Sequence, residues 1–241
     1  MAIHIGTSGW SYPHWEGVLY PPGLLPRERL GHYHRRYATA ELNASYYRWP
    51  KDSSFARWRK HLPDSFRLSV KAPRGLTHAK RLYEPERWLE RIVRGLARLE
   101  DRLGVLLVQL APQLPVDHAR LAWFLGCLPP GLDVAFEFRH PSWHQESVFA
   151  LLERHGAAYC VMSGAGLPCV LRATARVVYA RLHGPDHRHL YGGEYGDALR
   201  WWADRIREWD ARGHEVYVYF NNDGGGNAVR DARLLRRLLG A

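Results

Sequence analysis

Two rhythms of apolar and polar positions alternate along the 241-residue chain. Short runs with a period of two read as strands over 2–5, 39–47, 66–70, 104–110, 134–138, 157–162, 177–183 and 216–220. Segments with helical spacing lie between them, over 26–37, 54–62, 85–103, 117–128, 145–155, 197–212 and 227–239. The clearest helix is 85–103, where Trp88, Leu89, Ile92, Val93, Leu96, Leu99 and Leu103 form one stripe. Pro85 stands at its start and Gly104 just past its end, as helix punctuation prefers. Residues 164–175 read as a loop with room for a small hairpin.

Strands alternating with helices imply a parallel sheet. Eight such units in a chain of this length, with no linker-like break, predict an α/β fold: a (β/α)8 TIM barrel forming one domain over 1–241. A doubly wound open sheet is the alternative, but Gly6-Thr7-Ser8-Gly9 does not extend to the dinucleotide fingerprint of that fold.

In a barrel, one parity of each strand faces the helices and the other faces the interior. The first set is wholly apolar, as in Phe66, Leu68 and Val70, or Val134, Phe136 and Phe138. The second holds His4; Glu41, Asn43 and Ser45; Arg67, Ser69 and Lys71; Gln109; Glu137 and Arg139; Arg181 and His183; Tyr217, Tyr219 and Asn221. Its polar members gather toward the C-terminal strand ends, where barrel active sites lie. Burying such groups is costly unless they are paired or used. Glu137 is the first choice for a general acid or base and Glu41 the second; His183 and Lys71 complete the catalytic set. Arg139 and Arg181 would hold negative charge, and Asn43, Gln109 and Asn221 would orient hydroxyls. Trp10, Tyr47 and Trp143 offer aromatic faces, and Gly225 lies in a glycine run before the last helix that could cradle phosphate.

Charge narrows the partner. The formal net charge is +10, and 30 of the 34 basic residues are Arg, since only Lys51, Lys60, Lys71 and Lys80 are Lys. At the mouth, Lys71, Arg139 and Arg181 outnumber Glu41 and Glu137, so a small anionic or sugar-like ligand fits. The leading reading is an enzyme of the hydrolase, lyase or isomerase type. Nucleic-acid binding or processing is the second reading, and a non-catalytic ligand-binding scaffold the third. No cofactor is predicted. Glu41, Glu137 and His183 remain open as ligands of a divalent ion, with three nearby cations against it. Cys127, Cys160 and Cys169 lack metal or disulfide spacing, and neither a leader-like N-terminus nor a membrane-length apolar run occurs, so a cytoplasmic location without membrane contact is expected.

Several motifs occur in order: Gly6-Thr7-Ser8-Gly9-Trp10, Glu41-Leu42-Asn43-Ala44-Ser45-Tyr46-Tyr47, Lys71-Ala72-Pro73-Arg74 with Thr77-His78, Gln109-Leu110-Ala111-Pro112, Glu137-Phe138-Arg139-His140 with Ser142-Trp143, Arg181-Leu182-His183-Gly184, and Phe220-Asn221-Asn222-Asp223. Together they resemble the DUF72, or YecE-like, family over nearly the whole chain. The resemblance implies a TIM barrel and a common site at these strand ends; it implies no reaction. Ser45 and Tyr46 stand where the family commonly has Thr and Phe. His187 and His189 lie outside the motifs and are set aside.

Overall fold

A computed structural model describes residues 2–164, 166–185 and 191–240. Its eight strands are β1 (Ile3–Thr7), β2 (Thr39–Leu42), β3 (Arg67–Lys71), β4 (Leu103–Gln109), β5 (Val134–Glu137), β6 (Ala158–Ser163), β7 (Val177–Leu182) and β8 (Glu215–Phe220). The helices are α1 (Arg29–Tyr33), α2 (Ala44–Tyr47), α3 (Asp52–His61), α4 (Glu86–Leu96), α5 (His118–Cys127), α6 (Glu146–Arg154), α7 (Ala198–Ala211) and α8 (Asn227–Leu239). All strand pairs are parallel, in the order β1-β8-β7-β6-β5-β4-β3-β2. Ser8 and Glu41 form a parallel bridge across the remaining seam between β1 and β2. The Gly9 N–H donates to the Glu41 carbonyl at 2.8 Å, and the Tyr33 hydroxyl links the Thr7 N–H to the Thr39 carbonyl, both at 3.0 Å. Gly6 permits this approach: a Cβ there would lie 2.2 Å from the Thr39 oxygen. The sheet thus closes into the expected barrel.

The two strand parities build two cores. Residues such as Leu68, Val108, Phe136 and Val218 pack outward against the helices. Val105, Leu107, Ala135, Cys160 and Met162 fill the interior with Tyr179, Tyr217 and Tyr219. The Tyr219 hydroxyl is satisfied by Ser69 at 2.8 Å and Thr39 at 2.6 Å, so the phenol stays buried without a lost hydrogen bond. Above this plug the interior turns polar.

Three segments depart from the sequence expectation by more than two residues. The run 39–47 is a strand only to Leu42; Ala44–Tyr47 turns into α2, because the Ser45 hydroxyl ties the Leu42 and Lys71 carbonyls (2.7 and 2.6 Å) and bends the chain across the barrel rim. The stripe over 85–103 is α4 to Leu96 followed by a tighter turn to Arg102, with Glu100 at φ 49° breaking the helix before β4 begins at Leu103. The helix expected over 26–37 is regular only over Arg29–Tyr33. Between β6 and β7, residues 166–176 carry neither helix nor strand.

Candidate functional site

Arg181, near the end of β7, is the hub of the polar layer and is fully buried. Its Nη1 donates to Glu137 Oε2 at 2.5 Å, and its Nη2 to Glu41 Oε1 at 2.8 Å and Ser8 Oγ at 3.1 Å. One planar guanidinium therefore joins strands on opposite sides of the barrel, a geometry that lysine could not supply. Glu41, also fully buried, accepts from the Tyr179 hydroxyl at 2.6 Å and from Ser8. Ser8 in turn accepts from Asn43 Nδ2 at 2.6 Å. Glu137 accepts from Gln109 Nε2 at 2.7 Å, its neighbour across β4 and β5, and from Arg139 Nε.

These contacts set the charges. Burial pushes the Glu137 carboxyl up, but the Arg139 and Arg181 guanidiniums, with Lys71, hold it well below the usual carboxylate range. Burial weakens the Arg181 cation, and Glu137 and Glu41 more than restore it. His183 is buried, and that burial together with the Arg181, Arg139 and Lys71 cations keeps its imidazole well below its ordinary range, against the pull of Glu137. It is therefore neutral near pH 7. Its Nε2 lies 3.3 Å from Arg139 Nη2 and its Nδ1 3.0 Å from Asn221 Nδ2, so donors face both ring nitrogens.

Lys71, the last residue of β3, differs from its neighbours. It is 7% exposed, and its ammonium sits 4.4 Å from the Tyr46 ring centroid. It has no hydrogen-bond or ion-pair partner among the described residues, because both nearby carboxylates already face other donors. Burial first, then the Arg181 cation, lowers its pKa to about 8, despite Glu137 and Glu41.

Lys71 lines a cavity of about 980 Å³ above the strand ends, in the size range of small-molecule sites. Trp10, Tyr47, Trp49 and Trp58 supply aromatic surface; Asn43, Asn221 and Asp223 supply polar groups; Arg48 and Lys51 stand at the exposed rim. Thus Trp10, Tyr47, Asn43, Lys71 and Asn221 share the cavity wall. Glu41, Glu137, Gln109, Arg139, Arg181 and His183 form the charged layer that adjoins it. Trp143 stands elsewhere: it is 1% exposed, stacked on Phe138 at 4.7 Å, and its indole donates to the Leu114 carbonyl at 2.7 Å. It anchors a loop. Gly225 is not among the residues that line this cavity, and the N–H groups of its neighbours Gly224 and Gly226 bond the Tyr191 and Asp223 carbonyls. His187 and His189 lie outside the described residues.

Ser8, Tyr179, Arg48, Lys51, Trp58 and Asp223 were not among the sequence candidates. Ser8 and Tyr179 follow the interior parity of β1 and β7 and were legible from it; the others sit on loops and helices, where parity gives no signal. The donor set does not fit the divalent ion left open above. The Arg181 guanidinium occupies the place between Glu41 and Glu137, and no group of three or more His, Cys, Asp or Glu side chains among the described residues could hold a metal.

The family model described as "Protein of unknown function DUF72" matches residues 4–241. The chain belongs to the DUF72 family. Its relatives include the UPF0759 protein YunF of Bacillus subtilis, 27% identical over 270 residues that cover 98% of this chain and 94% of that protein. A DUF72 structure from Thermotoga maritima superposes with a TM-score of 0.90 at 29% identity, covering all of both chains. D-psicose 3-epimerase, solved in the presence of D-fructose, has a TM-score of 0.62 at 14% identity over 99% of this chain and all of its own. That likeness concerns the barrel alone. No helix among the described residues is long and apolar enough to cross a membrane.

Proposed function

We propose that this DUF72 protein is an enzyme acting on a small anionic or sugar-like molecule at the C-terminal mouth of its barrel. The observation that carries this reading is Lys71: a nearly buried amine without a hydrogen-bond or ion-pair partner among the described residues, facing an aromatic-walled cavity beside a layer of mutually paired charges. A lysine kept only for stability would be ion-paired or would reach water.

The same geometry divides the labour. Glu137 and Glu41, whose oxygens face Arg181, Arg139, Gln109, Tyr179 and Ser8, act as fixed counter-charges rather than as first choice for proton transfer. Lys71, with a pKa lowered to about 8, takes the acid–base role, and neutral His183 relays protons beside it. Trp10 and Tyr47 offer faces to a sugar ring or chain, and Asn43 and Asn221 bond its hydroxyls. The test is a thermal-shift screen of phosphorylated and carboxylated sugars, followed by turnover assays on those that bind. At least one should stabilise the protein saturably, with affinity falling at least ~10-fold in Trp10→Ala from lost aromatic contact. If no member of such a panel binds, the reading fails.

One observation favours a second reading. A groove of about 780 Å³ adjoins the cavity through Trp10 and Trp58 and carries Arg27, Arg35 and Arg57 with His32, His34 and His61. This suits the phosphate chain of a nucleic acid. Retention of DNA or RNA oligonucleotides that weakens steeply with salt would support it, and none at low salt would end it.

A further inference from the structure

We propose that Lys71 forms an imine with the carbonyl carbon of an open-chain aldehyde or ketone that carries an anionic group. The proposal rests on the reading of the cavity as the ligand site and names the chemistry done there.

Three observations lead to it. First, the amine is available. Among the described residues its one close partner is the Tyr46 ring, whereas the carboxylates in electrostatic reach are engaged: Glu137 by Gln109, Arg139 and Arg181, and Glu41 by Ser8, Tyr179 and Arg181. An ammonium locked to a carboxylate cannot attack carbon; this one is held in place without such a lock. Burial and the Arg181 cation also bring its pKa to about 8, so a useful fraction is free amine near neutrality. Second, the chain separates this lysine from the other three. Lys51 shares the cavity but is exposed, and Lys60 and Lys80 are exposed elsewhere. Third, the cavity selects the ligand. Among the described residues, Arg48, Lys51 and Lys71 face it against a single carboxylate, Asp223. Asp223 is itself held by the Trp15 indole at 2.5 Å and by His14 at 2.9 Å. A phosphate or carboxylate tail is therefore favoured at the rim while the carbonyl approaches Lys71 at depth. Asn43 Oδ1, buried and without a partner among the described residues, is an acceptor in the cavity wall for a ligand hydroxyl.

The step balances without an oxidant or reductant. The Nζ lone pair attacks the carbonyl carbon, and the carbonyl π pair moves to oxygen, which takes a proton. The carbinolamine then loses water as nitrogen forms the C=N bond. Amine, carbonyl compound and one proton give a protonated imine and water. The cationic imine draws electrons from the neighbouring C–H or C–C bond, which places the reaction among isomerases or lyases rather than hydrolases.

The full chain is incubated with dihydroxyacetone phosphate, glyceraldehyde 3-phosphate or pyruvate and reduced with sodium borohydride. Intact mass and peptide mapping then locate any adduct. One adduct per chain is expected with at least one probe, mapped to Lys71, saturable in probe and forming faster as pH rises from 7 to 9. Lys71→Met should carry none. Because the mapping is done on the wild-type chain, the result stands even where that variant folds poorly. Adducts only at Lys51, Lys60 or Lys80, or none with any probe, overturn the proposal. Thermal shifts with the same probes separate the two layers of inference: binding without a Lys71 adduct removes the imine and leaves the ligand site, whereas neither binding nor adduct removes both.

Discussion

Replacing Arg181 by Met tests the charge layer most directly. The substitution keeps an unbranched stem of similar length but removes the guanidinium that bonds Glu137 at 2.5 Å, Glu41 at 2.8 Å and Ser8 at 3.1 Å. Both carboxylates are fully buried, so neither can turn to water for compensation. Removing one partner of a buried ion pair costs about 3–5 kcal/mol, mostly from the charge left behind. For a chain of this size that is a fall in Tm of roughly 6–20 °C. Urea unfolding of wild type, Arg181→Met, Glu41→Gln with Glu137→Gln, and the triple variant completes a cycle. The triple variant should be more stable than the sum of its parts predicts by about 1–3 kcal/mol, since the carboxylates no longer lack a partner. The acid limb gives a second reading. Glu137 has a depressed folded-state pKa, so its contribution is present above the ordinary Glu range and is lost as pH falls below it. That component should shrink in Arg181→Met. A loss under about 1 kcal/mol, the range of exposed pairs, would refute the buried-hub argument.

Other expectations follow from single observations. Lys71 has a pKa of about 8 in the folded chain against an ordinary 10.5, so the unfolded chain binds the extra proton between those values and stability rises with pH across them. Relative to Lys71→Met, wild type should gain up to about 3 kcal/mol between pH 8 and 10.5, read by urea unfolding at each pH; parallel curves would show the amine to be solvated. Gly6→Ala places a Cβ 2.2 Å from the Thr39 oxygen and should cost about 3 kcal/mol or more by forcing β1 from β2, visible as a lower Tm. Trp143→Ala should cost about 3–5 kcal/mol with ligand affinity unchanged in protein kept folded by cooling, while Trp10→Ala should weaken ligand binding at smaller cost in Tm. The reverse pattern would place Trp143, not Trp10, at the site.

The barrel and much of its charged layer were legible because strand parity is a strict rule. A one-residue slip would put every side chain on the wrong face, so Glu41, Lys71, Gln109, Glu137 and Arg181 had to converge once the eight strands were recognised. Where backbone leaves the strand, that rule stops. Ala44-Ser45-Tyr46-Tyr47 alternates acceptably as a strand, yet Ser45 bonds main-chain carbonyls and the segment coils, which carries Tyr46 over Lys71 and Tyr47 to 78% exposure. Aromatic type was equally silent on placement. Trp10 meets the Trp58 edge beside the cavity, while Trp143 is sealed under its loop against Phe138. The sequence contains both tryptophans after strand ends, and only loop geometry separates a wall from a plug. Partner choice was hidden for a similar reason: nothing in the order of residues says that Arg181 serves both carboxylates and leaves Lys71 without one.

That allocation constrains the ligand further. Arg139 and Arg181 face Glu137 and Glu41, two cations with two carboxylates, so Lys71 carries the uncompensated charge of the layer. An anion placed against Lys71 would stabilise its ammonium and raise its pKa, which suppresses the free amine that attacks carbon. Binding an anion and attacking a carbonyl therefore conflict if both occur at one point, and they are compatible when the anion sits at the rim with Arg48 and Lys51. A ligand whose charge is separated from its carbonyl meets this condition; one whose carboxylate adjoins the carbonyl does not. Under borohydride, dihydroxyacetone phosphate should label Lys71 faster than pyruvate at equal concentration, and the gap should narrow as pH rises from 7 to 9 and the amine loses its proton in both cases. Lys51→Ala should slow labelling by dihydroxyacetone phosphate more than labelling by pyruvate. Faster labelling by pyruvate at pH 7, unchanged by Lys51→Ala, would refute this separation: an adjoining carboxylate would not suppress the amine, and the rim cations would not sort ligands.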